Sequence, residues 1–266
     1  MIRNISILQF HNVTDVEKQC RLWLPLTAFT RYLSYLKRNG FEIISLAKAI
    51  EMMGRPFLGT KKRLISLTFD HGYADFFDSV FPLLQESGIP ATLFICPDKI
   101  GKTTSKDHCS VDHLSADQLR KIAENGITIG AYEDAAWNIN QIDQAMVRRH
   151  IREYKKRLED LLGKKVKYFG VKEGVPSRQL REILISAGYD AFLTQCPTYR
   201  RPDPYAIGRI QVDDDDFNIF LTKISKTYLF FKDRRSWKYI REYKLDRLAH
   251  RVSETVDRIR GQHHEP

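Results

Sequence analysis

The 266-residue chain predicts an α/β fold: βα units wrapped around a parallel sheet or barrel. Three observations lead there. Strand-like and helix-like hydrophobic patterns alternate from Ile5 to Thr194. The strand runs are short and rich in Ile, Leu, Thr and Phe. The helical runs stop at glycines, among them Gly40, Gly54, Gly88, Gly126 and Gly163. In folds of this kind the reactive groups come from the carboxyl ends of the strands.

Taken in order, Ile5 to Phe10 alternates as a strand. Leu26 to Asn39 places Phe29, Leu33 and Leu36 on one helical face. Phe41 to Ser45 is a short strand, and Leu46 to Met53 a helix. Arg63 to Asp70 is a strand, Phe76 to Ser87 a helix, and Ala91 to Cys96 a strand after Pro90. The segment before residue 115 reads as a long loop. Ser115-Ala116-Asp117-Gln118 has the capping-box pattern and opens a helix. A strand at Ile127 to Ile129 follows, then a long helix from Gln141 to Leu162. Val166 to Phe169, Arg178 to Ala187 and Asp190 to Thr194 complete the strand–helix–strand alternation. Beyond it lie a strand at Arg209 to Val212 and a basic helical tail. The expected division is a barrel over 1–221 and a tail over 222–266, packed on the barrel.

Composition bounds the function classes. Hydrophobic residues make up 42% and charged residues 29%, which fits a globular chain and argues against disorder. The net charge is +10, and from Lys223 to Arg260 twelve Lys and Arg face five Asp and Glu. That charge suits an anionic membrane surface, an acidic glycan or a protein partner, with a solvated basic helix as the plain reading. No RNA-binding motif accompanies it, so no nucleic acid is expected. Cys20, Cys96, Cys109 and Cys196 form no CxxC pair. A structural zinc site or a disulfide framework is therefore not expected, and a reducing compartment fits. No signal-peptide pattern and no apolar run of about 18 residues occurs, so a cytoplasmic location, at most peripheral to a membrane, is expected.

The run Thr68-Phe69-Asp70-His71-Gly72-Tyr73 carries the strongest motif. With Phe81-Pro82-Leu83-Leu84, Gly88-Ile89-Pro90-Ala91-Thr92-Leu93-Phe94, Ile7-Leu8-Gln9-Phe10-His11, Gly126-Ile127-Thr128-Ile129-Gly130 and Ala187-Gly188-Tyr189-Asp190-Ala191, it resembles the polysaccharide deacetylase family over roughly residues 5 to 212. The resemblance implies a distorted (β/α) barrel and metal-dependent de-N-acetylation of a glycan. In that family a divalent metal polarises the acetamide, an aspartate acts as base and a histidine as acid. Asp70 matches the base position, and His11 lies where an acid histidine would stand. His71 occupies the position of the ligating aspartate, and histidine also binds zinc. The second motif reads Gly130-Ala131-Tyr132-Glu133-Asp134-Ala135-Ala136, with Tyr132 and Ala136 where two ligating histidines belong. In the third motif Lys172 replaces a proline.

Three functional expectations follow, the third of them a membrane-surface scaffold that uses the basic tail. The first is a glycan- or partner-binding pseudoenzyme that needs no metal. Tyr132 and Trp137 would then floor a sugar pocket, or Tyr132 would simply fill the space left by the metal. Lys172 would replace the cation's charge beside Asp70, or lie on the surface. The second is an active carbohydrate de-N-acetylase with zinc or a similar ion on a rearranged site of His71, His11 and Glu133 or Asp134. A surface loop is expected for His108, Cys109 and His113, and an exposed acidic turn for Asp213-Asp214-Asp215-Asp216.

Overall fold

A computed structural model describes residues 5–15, 23–54, 63–106, 109–134, 143–171, 177–195, 203–212 and 216–225. Nine strands form one all-parallel sheet. They are β1 (Ile5–Phe10), β2 (Phe41–Ile43), β3 (Arg63–Phe69), β4 (Ala91–Ile95), β5 (Thr128–Glu133), β6 (Tyr168–Val171), β7 (Ala191–Thr194), β8 (Ile207–Gly208) and β9 (Ile210–Gln211). Their spatial order is β8-β7-β6-β5-β4-β3-β1-β9, and β2 pairs with the first residues of β3.

The two ends of that order are one piece of chain. Arg209 alone separates β8 from β9. Ile207 pairs with Leu193 of β7 on one side, and Ile210 pairs with Leu8 of β1 on the other. The run 207–211 thus draws both edges of the sheet together into a nearly closed barrel. The sequence pattern merged this run into a strand at Arg209 to Val212. The structure moves it toward the amino terminus and splits it at Arg209.

Strand side chains point alternately to the two faces, and this sorts the core. Ile65, Leu67 and Phe69 of β3, Leu93 and Ile95 of β4, and Phe169 and Val171 of β6 belong to the outer layer beneath the helices. Ile7, Leu64, Phe94, Tyr132, Tyr168, Leu193 and Ile207 fill the interior with Leu46 and Ala49. Those last two come from helix α2 (Leu46–Gly54), which thereby caps the amino-terminal end of the barrel. Phe94 takes the central space because its neighbours have no side chains. A Cβ on Gly130 would come within 2.5 Å of the Phe94 ring, and one on Gly170 within 3.0 Å.

The helices follow their local signals. α1 (Leu26–Arg38) buries Phe29, Tyr32, Leu33 and Leu36 on one stripe. Phe76–Val80 is a π-helical turn that leads into α3 (Phe81–Glu86). Pro82 explains the departure from the single helix expected there, because it has no N–H to give residue 78 in an α-helical ladder. α4 (Ala116–Glu124) opens on Ser115, whose side chain accepts from Gln118 in a complete capping box. α5 (Gln144–Leu162) ends at Gly163, in the left-handed conformation. α6 (Arg178–Ser186) is capped by Ser177. α7 (Phe217–Lys223) lies on α1, with Phe220 stacked on Tyr32 at 4.0 Å, and Arg63 Nη2 donates to the Ile224 carbonyl just past its end. None of the described helices is long and apolar enough to cross a membrane.

One expected loop is ordered structure. Thr103–Lys106 and Cys109–Asp112 form an antiparallel hairpin, and His113 beyond it is buried. The surface-loop expectation is therefore corrected for His113. Its Nδ1 donates to the His71 carbonyl at 3.1 Å, because a carbonyl can only accept, and its Nε2 then accepts from the Thr104 hydroxyl at 2.9 Å. β5 also runs four residues past the expected end at Ile129, and so carries Tyr132 into the interior. His108 and residues 213–215 of the acidic turn lie outside the described residues, as does the tail from 226 onward.

Candidate functional site

The polar inward positions gather at the carboxyl ends of the strands. Asp70 follows β3 and is completely enclosed. Arg209 grips it with both terminal nitrogens, Nη1 to Oδ1 at 2.5 Å and Nη2 to Oδ2 at 2.9 Å. Gln9 of β1 adds a third hydrogen bond, Nε2 to Oδ2 at 2.6 Å. Neither side chain of the ion pair has any solvent exposure, at 0% for each. Arg209 also donates to the Val171 carbonyl at 3.3 Å, and its guanidinium lies 5.2 Å from the Phe94 ring centroid. Residues from β1, β3, β4, β6 and the closing run therefore meet in one buried polar knot. Enclosing such charges is tolerable only because each is paired and hydrogen-bonded.

His71 comes next and turns the chain sharply, with φ +73, followed by Gly72 at φ +67. A left-handed residue other than glycine costs roughly 1–2 kcal/mol. Neighbouring hydrogen bonds hold the turn: Leu114 N–H donates to Gly72 O, and His113 donates to His71 O. The His71 ring is buried between the Tyr132 edge, at a centroid distance of 4.8 Å, and Tyr73, stacked at 5.2 Å. Burial, then the His11 ring nearby, pull its pKa down to about 3 against the opposing pull of Asp134 and Asp70. At neutral pH the ring is uncharged. Its Nδ1 lies 3.6 Å from Asp134 Oδ1, beyond hydrogen-bonding distance.

The remaining expected residues divide cleanly. His11 is buried at the end of β1, with its ring 5.5 Å from that of His71. Asp134 pairs with Lys99 at 2.6 Å. Glu133 points the other way, to His150 of α5 at 2.6 Å, so it is removed from the rearranged ligand set. Tyr132 has no exposed surface, which corrects its assignment as a sugar-facing floor: the ring packs on His71 instead. Its hydroxyl pKa is pushed well above the usual value by burial and then by Asp70. Tyr73, half-buried, is the aromatic residue of this group that reaches the surface. Trp137, Lys172 and Ala136 lie outside the described residues.

Arg209 is the residue that sequence reasoning missed. The charge expected of Lys172, a cation beside Asp70, is supplied by Arg209. The sequence held one weak signal, an arginine at the start of an apolar strand run, where an unpaired charge would be costly.

The donor set decides whether a metal suits this site. Zinc needs three or four N, O or S donors converging at about 2 Å. Among the described residues no three His, Cys, Asp or Glu side chains converge in that way. Asp70 has both oxygens committed to Arg209 and Gln9, and a protonated phenol stands at the first histidine position of the second motif. The described residues do not fit the family's metal.

A nearly closed parallel barrel with its polar groups at the strand ends defines a (β/α)-barrel protein with an enzyme-type site. More narrowly, the chain belongs to the polysaccharide deacetylase family, whose sequence profile matches residues 58–192. It is 23% identical over 210 residues to the Bacillus subtilis protein YxkH, named for the same family, covering 78% of this chain and 71% of that one. An 87-residue stretch is 33% identical to the poly-β-1,6-N-acetyl-D-glucosamine N-deacetylase of Escherichia coli K12, covering 32% of this chain and only 12% of that enzyme. The fold matches IcaB from Ammonifex degensii with a TM-score of 0.69 at 21% identity, over 83% of this chain and 96% of that one. It also matches a de-N-acetylase from Aggregatibacter actinomycetemcomitans with a TM-score of 0.66 at 15% identity, over 86% of this chain and 99% of that one.

Proposed function

We propose that this chain is a carbohydrate-binding member of the polysaccharide deacetylase family that no longer performs metal-dependent hydrolysis. The observation that carries the reading is the enclosure of Asp70. A general base must reach a water beside the scissile amide. Here the carboxylate at the base position has no exposed surface, and its oxygens are held by Arg209 and Gln9. The Tyr132 ring packed on His71 supports the same reading, since that contact fills the space between the first two motifs. Glycan binding then falls to the rim of the barrel, where Tyr73 offers an aromatic face.

The second reading, de-N-acetylation on a rearranged site, has one observation in its favour. His71, His11 and Asp134 lie close together, and His71 Nδ1 is buried with no hydrogen-bond partner. Metal analysis separates the two. The protein is incubated with zinc, cobalt or manganese, freed of excess ion and assayed for bound metal and for acetate release from N-acetylglucosamine oligomers. Oligomer binding indifferent to chelator, with no tightly bound ion and no acetate, is the expected result. About one ion per chain, lost in His71→Ala together with acetate release, would establish the rearranged enzyme instead.

A further inference from the structure

We propose that the outer face of α5 is a binding stripe for an anionic polysaccharide, so that the glycan taken at the barrel rim carries carboxylates or other negative groups. The inference rests on the carbohydrate-binding reading above and narrows it to a class of glycan. α5 buries Val147, Ile151, Tyr154 and Leu158 against the barrel. Its opposite face forms an open recess lined by Ala145, Arg148, Arg149, Arg152, Glu153 and Lys156. Four of these six are cations, and Arg148, Arg149, Arg152 and Lys156 are linked by helical spacings of three and four residues, which set their Cβ atoms roughly 5–6 Å apart along one side.

Glu153, four residues past Arg149, sets one carboxylate against these four cations, and the recess keeps a net positive charge. Lys156 pairs with Asp160 at 2.7 Å, and Arg148 reaches the Ser186 hydroxyl at 3.4 Å. Arg149 and Arg152 are exposed and meet no carboxylate among the described residues. The stripe begins at the rim. His150, in the same turn as Arg149, holds Glu133 at the end of β5. A sugar chain leaving the mouth over α5 would run along Arg149 and Arg152, and only a negatively charged chain gains from doing so. The exposed Met146 does not turn the stripe into a lipid surface. It stands seven residues before Glu153 and shares that edge of the helix, away from Arg152.

The test titrates the full chain with three probes: polygalacturonate, neutral N-acetylglucosamine oligomers, and vesicles of phosphatidylcholine with phosphatidylglycerol. Wild type is compared with Arg149→Glu/Arg152→Glu and with the milder Arg149→Gln/Arg152→Gln, at low and at physiological salt. Circular dichroism confirms that both variants fold. The expected result is polygalacturonate binding that weakens with salt and falls about tenfold or more in the Glu variant. The Gln variant should lie between, and binding of the neutral oligomers should be unchanged. Equal polygalacturonate binding in wild type and both variants would overturn the stripe, as would arginine-dependent binding to vesicles without any to polygalacturonate. Loss of neutral-oligomer binding already in wild type, with the polygalacturonate response intact, would count against the mouth as a glycan site and leave the stripe standing.

Discussion

Arg209 and Asp70, 139 residues apart, meet in a two-pronged ion pair with no exposed surface on either side chain. Arg209 sits in the one-residue gap of the run that joins β7 to β1, and Asp70 ends β3. The pair therefore ties the closing run to β3, across the intervening strand β1. Breaking a buried pair from one side leaves an uncompensated charge, which costs about 3–5 kcal/mol. Arg209→Met and Asp70→Asn should each lower the unfolding free energy, read from urea titration, by an amount of that order. The double variant should be less destabilised than the sum, because it leaves neither charge alone. Strict additivity in the cycle would show that the two side chains do not stabilise each other.

Gly130→Ala should also destabilise. Its Cβ would fall 2.5 Å from the Phe94 ring, which is wedged beneath the polar knot. Overpacking of a filled core costs about 1–3 kcal/mol. Phe94→Leu in the same chain should recover part of the loss by giving the new methyl group room. Thermal unfolding of the two single variants and the pair measures this, and no recovery in the pair would mean that the clash lies elsewhere.

The barrel was legible because each βα unit carries its own signal. Periodicity placed α1, α5 and β3 within a few residues, and Ser115-Ala116-Asp117-Gln118 marked the start of α4. The site was legible only where it rests on the contiguous motif around Asp70. Arg209 escaped because its partner lies 139 positions away and nothing local distinguishes a buried arginine from a solvated one. His113 escaped because the hairpin before it has no alternating apolar face. For Tyr132 the sequence left two readings, a sugar-facing floor and a ring filling the metal's space, and its burial agrees with the second. Nothing in its neighbours shows that β5 continues past Gly130 and turns the ring inward.

Acid should loosen the mouth of the barrel before the rest of the fold. His71 is held neutral, with its pKa drawn to about 3 by burial first, and burial also lowers that of His113. Unfolded histidine takes its proton near pH 6.5. Between those values the unfolded chain binds more protons than the folded one, so stability falls as pH drops below about 6.5 and is fully present above it. Carboxylates contribute a separate loss at lower pH, so the comparison is between wild type and His71→Asn. Asparagine tolerates the left-handed backbone at this position and does not titrate. Urea midpoints at pH 7.5 and 5.5 should differ more in wild type than in the variant. Equal differences would remove His71 as the source.

Tyr73 should carry much of the glycan contact at the rim. It stacks on the buried His71 ring, lies 5.2 Å from the His113 ring and keeps part of its surface exposed, so that exposed part is held on a rigid support. Aromatic stacking of this sort contributes about 0.5–1.5 kcal/mol beyond area burial, up to roughly a tenfold change in affinity. The hydroxyl is not the gripping group in this account. Tyr73→Phe should bind N-acetylglucosamine oligomers nearly as wild type does, and Tyr73→Leu should bind several-fold more weakly with its fold intact. The Phe and Leu variants share the loss of the hydroxyl and differ in the aromatic face. If both lose affinity equally, the hydroxyl rather than the ring makes the contact, and the stacking role assigned to Tyr73 is wrong.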